Sequence, residues 1–313
     1  MDEFDIIRRF FTPDRTSDSV MVGVGDDGAV LRPTPGKDLI NVIDTMVAGV
    51  HFPDTLPPAD IGFRAVAINV SDIAAMGGTP RWMTMALTLD DALPDWLADF
   101  ADGARDASGR YGVELVGGDI TRGSDKVISV QVTGEVDPGS VLTRSGARPG
   151  DGIYVSGTPG DAALGLSIIE SGAAASAEVD YLVKRFSRPD ARVALGNALA
   201  GRASAAIDLS DGLYADLAKL LDASGVAGRI RLDDLPASAA LAGMVGREDA
   251  LAFMLGGGDD YELAFTSPDE SITEIAADVA VTRIGSVVDG EGLSCTLGGE
   301  PYTFQSQGYR HFH

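Results

Sequence analysis

The sequence has a single cysteine and three histidines. One thiol excludes an internal disulfide framework and suits a reducing, cytoplasmic setting, with Cys295 expected as a small buried hydrophobe. His51, His311 and His313 are too few and too scattered for a histidine-rich zinc centre. Basic side chains are also scarce: 24 Lys and Arg stand against 47 Asp and Glu, a formal charge of −23. Nucleic acid demands a basic footprint, so it is excluded as a partner. No run approaches the roughly 20 apolar residues of a membrane span. The opening MDEFDIIRRFF is acidic where a secretory signal is basic, so no membrane association is expected. The phosphate loop GxxxxGK[ST], the GxSxG elbow and the kinase HRD and DFG signatures are missing. Gly23-Val24-Gly25 runs into Asp-Asp instead of completing a dinucleotide fingerprint.

What is present is an ordinary globular composition, 45% hydrophobic and 23% charged, in a chain long enough for one large domain or two. Apolar spacing predicts a short helix near 3–11, strands at 20–24, 28–32, 39–44 and 46–52, a helix over 58–76, a strand at 82–89, a helix over 94–112 and a strand at 126–136. The turn Val136-Asp137-Pro138-Gly139 and the Gly/Pro-rich loop 144–151 mark a domain boundary, giving units 1–137 and 138–313. The second unit reads as strand 152–156, helices 161–171, 178–186 and 190–200, and strand 204–209. Helix 212–223, strand 228–232, helical stretches to about 255, strand 261–266 and a closing α/β segment follow. The fold class is α/β (α+β) in two domains.

Acids beside glycines recur inside apolar stretches: Asp26 and Asp27, Asp119, Asp208 and Asp211, Asp259 and Asp260. On the 58–76 helix, Asp72 falls on the stripe Ile61, Ala65, Ile68, Ala75, where a carboxylate facing the core calls for a cation partner. Hard cations such as Mg²⁺ take carboxylate, water and phosphate oxygens, and glycine lets a backbone turn sharply beside a bulky phosphate. Asp26, Asp27, Asp44, Asp72, Asp119, Asp208 and Asp211 are candidate metal ligands on that pattern if the fold gathers them. Taken singly, each Asp-Gly reads first as a turn or a helix cap, Asp211 as the cap of the following helix and Asp44 as a strand end; the shared spacing across distant segments is what favours metal. No segment has the acid spacing of an EF-hand.

Seven of these blocks, in order along nearly the whole chain, resemble the thiamine-monophosphate kinase family: VGDDGAV (24–30), DTMVAGVHF (44–52), NVSDIAAMGG (69–78), GGDITRG (117–123), LTRSGARPGD (142–151), AIDLSDGL (206–213) and GGGDDYEL (256–263). That family lies in the superfamily of aminoimidazole ribonucleotide synthetase and selenophosphate synthetase. The resemblance implies ATP-dependent phosphorylation of thiamine monophosphate to thiamine diphosphate with several Mg²⁺ ions. It assigns metal binding to Asp27, Asp44, Asp72, Asp119, Asp208 and Asp211, and ATP contacts to Gly118, Asp119, Arg144 and Ser210. His51, Asp259 and Tyr309 match substrate positions, and Asp72, Asp119, Arg144 and Asp211 are the expected catalytic set. It also implies a two-domain synthetase-like fold whose N-terminal sheets join into a barrel across a homodimer.

The sequence departs from the family pattern in two places. Val42 and Ile43 precede Asp44 where Ser or Thr is common, so any metal contact there must come from backbone carbonyls. Asp259 stands where glutamate is usual, keeping the charge with a reach about one methylene shorter. The alternatives are another ATP-using synthetase of the superfamily, or a noncatalytic nucleotide sensor. A selenophosphate synthetase is disfavoured by the lack of an N-terminal Cys.

Overall fold

A computed structural model describes residues 2–13, 15–275 and 279–304. The chain divides into two compact units. The first is residues 1–73 and 78–139, and the second is residues 74–77 and 140–313.

The first unit opens with a short helix α1 (Glu3–Ile6), which continues as a π-helical turn, Ile7–Phe11. Strands β1 (Val20–Val22) and β2 (Val30–Leu31) form a small antiparallel ladder. Then come β3 (Asp38–Val47), α2 (Pro58–Ala75), β4 (Thr79–Leu89), α3 (Pro94–Tyr111), β5 (Glu114–Arg122) and β6 (Val127–Val136). Strands β3 to β6 make one sheet in the order β3-β6-β4-β5, antiparallel except for the β4–β5 pair. That parallel pair is joined by α3, a βαβ crossover.

Helix α2 stops where Gly77 adopts a left-handed φ of 73° and Gly78 N–H donates back to Ile73 O at 2.9 Å, the glycine-terminated end that L side chains resist. The apolar stripe predicts one face of this helix in the core. In the structure every residue from Ile61 to Ser71 is buried, Arg64 and Asn69 included, while Asp72 is only half-buried. Helix α3 is amphipathic, burying Leu97, Phe100, Ala101, Gly103, Ala104 and Ala107. The two helices cross with backbones in close approach: a Cβ added at Gly62 would strike Phe100 O, and one at Gly103 would strike Ala59 O.

One face of the sheet buries Met83, Met85, Leu87, Ile128, Val130 and Val132. Its other face is a polar ladder: Thr45 and Ser129 hydroxyls lie 2.7 Å apart, and Thr133 Oγ1 donates to Asn41 Oδ1 at 2.7 Å. Ile43 and Leu39 lie among those polar groups, 66% and 48% exposed.

The second unit runs β7 (Gly152–Ser156), α4 (Asp161–Ser171), α5 (Ala177–Ser187), α6 (Val193–Leu199), β8 (Ala205–Asp208), α7 (Leu213–Ser224), β9 (Ala227–Arg231), α8 (Ala239–Met244), α9 (Arg247–Gly256), β10 (Leu263–Ser267), β11 (Val281–Val288), β12 (Gly292–Leu297) and β13 (Glu300–Tyr302). Its sheet has the order β13-β12-β9-β11-β7-β10-β8. Strands β7, β8 and β10 are buried at every residue, as strands covered on both faces must be. Leu213, Leu217, Leu220 and Leu221 of α7 pack in one cluster, Leu195 and Leu199 of α6 in another with the stacked rings of Tyr154 and Phe265.

Three expectations change. The stretches read as strands 39–44 and 46–52 are one strand ending at Val47, followed by a turn. The GGDITRG block lies almost wholly within β5, a strand hidden by its glycines. The closing segment contains β11 to β13 and, among the described residues, only a 3₁₀ turn at Glu270–Glu274.

Gly103→Ala is expected to destabilise the chain by about 1–3 kcal/mol through overpacking. Gly109→Ala, in the same helix with nothing within 4 Å of the new methyl, is expected to stabilise by about 0.5–1 kcal/mol. Urea unfolding of both variants checks the contrast.

Candidate active site

In the first unit the β1–β2 connection carries Gly25 at φ 112°, a conformation that suits glycine. It leaves Asp26 and Asp27 exposed, with Asp27 N–H donating to Asp26 Oδ1 at 2.9 Å. Across from it, β5 presents Gly117, Gly118 and Asp119. Gly118 has to be glycine for the sheet alone, since a Cβ there would collide with Met85 O of β4. Asp27, Gly118 and Asp119 line one cavity of about 540 Å³, whose apolar wall includes Phe4, Ile7 and Phe11. Two motifs about 90 residues apart thus share one concave surface, lined by apolar groups and a few carboxylates, as ligand sites usually are.

Asp44 lies inside β3 rather than at its end. Its N–H donates to Asn69 Oδ1 at 2.8 Å, while Asn69 Nδ2 donates to Ala65 O at 3.0 Å. Asn69, fully buried on α2, therefore ties β3 to the helix one turn before Asp72. Ile43 points to the open face, and Val42 is half-buried. His51 sits in the turn after β3, where its Nδ1 accepts from Val47 N–H at 3.0 Å. An accepting Nδ1 leaves Nε2 as the protonated nitrogen of a neutral ring.

In the second unit the antiparallel β8–β10 pairing brings AIDLSDGL beside GGGDDYEL, with Asp208 opposite Leu263. Asp259 N–H donates to Ser210 O at 3.0 Å and Tyr261 N–H to Leu209 O at 2.9 Å. Asp259 and Tyr261 have φ of 70° and 52°, the only non-glycine residues in that region among those described. Such backbone costs of order 1–3 kcal/mol per residue and tends to gather at functional sites. Glycine is required beside it, because a Cβ at Gly258 would strike Ser210 O. Asp211 does not cap α7: its carboxylate pairs with Lys219 Nζ at 2.5 Å.

The neighbouring acids of these motifs do structural work that the sequence did not reveal. Asp216, an acid in the first turn of α7, accepts the N–H groups of Ser210 and Asp211 at 3.0 and 2.9 Å. Burial pushes its carboxyl up, while Lys219 and the Asp211 N–H draw it back. Glu262 is fully buried and accepts from Arg192 Nε at 2.7 Å and Nη2 at 2.5 Å, from Arg185 Nη2 at 2.7 Å and from Ser156 Oγ at 2.5 Å. Burial opposes its charge, but the two guanidinium groups and the hydroxyl hold it below the usual glutamate range. Asp260 accepts Gly160 N–H at 2.6 Å and Ala162 N–H at 3.1 Å, satisfying the start of α4. Burial raises it to about 7 against the pull of Arg185 and those donors. Arg144 is exposed on a loop whose backbone Ser224 Oγ secures, donating to Arg144 O at 3.1 Å and accepting Gly146 N–H at 3.1 Å. Tyr309 lies outside the described residues.

Among the described residues no group of three or more His, Cys, Asp or Glu is arranged as a metal centre. Mg²⁺ binds through one or two carboxylates with waters and substrate phosphates rather than a complete protein cage. Exposed Asp27 and Asp119 on one cavity supply that oxygen donor set, so the residues present fit such an ion.

Comparison with known proteins follows the same division of the chain. The model of the AIR synthase related protein N-terminal domain matches residues 25–136, and that of the C-terminal domain matches residues 148–298. The thiamine-monophosphate kinase of Escherichia coli (strain K12) is 44% identical over 99% of this chain and 98% of its own length. A crystal structure of thiamine-monophosphate kinase from Stenotrophomonas maltophilia K279a superposes with a TM-score of 0.84 at 41% identity, covering 91% of this chain and 93% of its own. A structure described as AaThiL complexed with AMPPCP and TMP gives a TM-score of 0.82 at 34% identity over 95% and 93% of the two chains. The chain belongs to the thiamine-monophosphate kinase family of AIR synthase related proteins. No helix of the described residues is long and apolar enough to cross a membrane.

The pH dependence of stability tests the buried acid. Asp260 titrates near 7 when folded against 3.8 ordinarily, so the folded state holds the proton longer than the unfolded one. Its contribution to stability is therefore fully present below about pH 4 and declines as pH rises toward 7. Subtracting the urea-unfolding profile of Asp260→Asn from that of the parent chain is expected to leave that downward slope and a plateau above it.

Proposed function

We propose that this chain transfers the terminal phosphoryl group of ATP to the phosphate of thiamine monophosphate, giving thiamine diphosphate and ADP. The observation that carries the reading is the sharing of one cavity by the glycine–aspartate turn at Asp27 and the Gly118-Asp119 stretch. The full-length likeness to named kinases supplies the substrate. The reading assigns Mg²⁺ binding to Asp27, Asp44, Asp72 and Asp119 in the first unit and to Asp208 and Asp211 in the second. Bound there, Mg²⁺ provides the positive charge that phosphate oxygens require and this acidic chain lacks.

The remaining work is positioning. Asn69, one helical turn before Asp72, fixes the backbone of Asp44, and Gly118 lets β5 approach both β4 and a phosphate. Arg144 offers a planar bidentate donor to phosphate oxygens, and Ser210 completes the nucleotide contacts. His51, Asp259 and Tyr309 are assigned to the thiamine end, where the carboxylate of Asp259 suits a cationic thiazolium. The acceptor is itself a phosphate with a second pKa of about 6, ionised at neutral pH. No general base is needed, and in-line alignment with charge neutralisation is the catalytic task. Asp72, Asp119, Arg144 and Asp211 are the catalytic set.

The active form in this reading is a homodimer whose first-unit sheets close into a barrel. The polar sheet face that leaves Ile43 and Leu39 exposed supports it. A cytoplasmic location is supported by the lone buried thiol, Cys295.

Purified protein incubated with ATP, Mg²⁺ and thiamine monophosphate is expected to yield ADP and thiamine diphosphate in equal amounts. ATP turnover only with a different acceptor rejects this substrate, and no turnover at all rejects the enzyme. Asp72→Asn and Asp119→Asn are each expected to lower kcat by about 10²-fold or more while unfolding cooperatively. Parent-like rates in both variants contradict the metal assignment.

A further inference from the structure

Lys219 projects from α7 toward the turn that carries Asp211. Its ammonium lies 2.5 Å from Asp211 Oδ2 and 2.8 Å from Asp216 Oδ1. The three groups differ sharply in exposure: Asp216 is 1% exposed, Asp211 31% and Lys219 43%. Asp216 is immobilised, because its other oxygen accepts the N–H groups of Ser210 and Asp211. The backbone of the turn is thereby fixed by one acid, and the carboxylate of Asp211 is aimed by a cation that the same acid anchors. A lysine has a flexible four-carbon stem and a compact charge, so it can release Asp211 while keeping its bond to Asp216.

We propose that Lys219 is a positioning residue that serves as the resident counter-cation of Asp211 and competes with the divalent ion for that carboxylate. The inference rests on the assignment of Asp211 as a metal ligand. While no metal is bound, Lys219 neutralises Asp211 and keeps its carboxylate oriented. A divalent ion that takes Oδ2 displaces the ammonium, and polyphosphate oxygens, when present, accept the displaced Lys219 and offset that cost, so Mg²⁺ alone gains less there than Mg²⁺ arriving with them. Lys219 thus couples occupancy at Asp211 to the nucleotide and keeps the ion from settling ahead of it.

Isothermal titration of the full-length protein with Mg²⁺, and with Mn²⁺ as a second probe, tests this without turnover. Removing a part-exposed ion pair is worth a few-fold in affinity, so Lys219→Met is expected to bind the ion about three- to fivefold tighter than the parent without nucleotide. The extra tightening that ATP produces is expected to shrink by the same factor. Lys219→Arg, which keeps the cation, is expected to match the parent, and Lys219→Met/Asp211→Asn to lose the gain. Lys219→Met that unfolds cooperatively but binds the ion no more tightly than the parent overturns the proposal. If Lys219→Met unfolds, a Lys219→Arg protein several-fold altered in metal affinity overturns it instead. Asp211→Asn alone separates the two readings. Unchanged metal binding in that variant removes Asp211 from the ligand set, whereas weakened binding without a Lys219→Met effect removes only the competition.

Discussion

A chain with 47 acidic and 24 basic side chains repels polyphosphates unless a cation intervenes, and the proposed reading of its acids rests on that constraint. Four buried acids of the second unit are answered by the protein's own groups. Glu262 has two guanidinium partners, and Asp260 has the first N–H groups of α4. Asp161 accepts the hydroxyls of Thr158, Tyr181 and Ser238, and Asp216 holds Lys219 and two backbone N–H groups. Burying a charge without such partners costs several kcal/mol, so these groups are structural by necessity. Asp27 and Asp119 are different: they are exposed, on the wall of a cavity, where an external cation can reach them. In the proposed reading, the division between internally compensated and externally available acids turns an acidic surface into a phosphate site.

Glycine provides the other half of the arrangement, by a route that is more structural than the motifs alone suggest. Gly118 is demanded by the close approach of β5 to β4, Gly258 by the carbonyl of Ser210, and Gly62 with Gly103 by the crossing of α2 and α3. In each case a missing Cβ lets two backbones meet. Where those backbones carry aspartates, the acids are held by hydrogen-bonded main chain rather than by mobile loops, as a positioned reaction requires.

Much of this was legible in the residues. The strand at 152–156 and the helices at 161–171 and 94–112 were readable because Gly and Pro punctuate clean periodicities, and the acid–glycine pattern pointed to oxygen-ligand chemistry. The strand β5 was not readable, since Gly117 and Gly118 weaken strand propensity and its pairing with β4 is a tertiary fact. The all-round burial of α2 escaped because a stripe rule assumes one covered face, and Arg64 and Asn69 looked like its polar side. The supporting acids Asp216 and Glu262 escaped for a related reason: one reaches back to a turn and the other reaches arginines more than 60 residues away, which local spacing does not encode. Asp211 reads as a helix cap in sequence and is a lysine partner in space.

In the proposed reading, an external cation makes this acidic chain attractive to a nucleotide. Calorimetric titration of the chain with ATP, at matched ionic strength in excess Mg²⁺ and in excess chelator, measures that dependence directly. Saturable binding with Mg²⁺ and its loss in chelator are the expected result. Equal affinity under the two conditions would show that the protein's own groups suffice, and would contradict it.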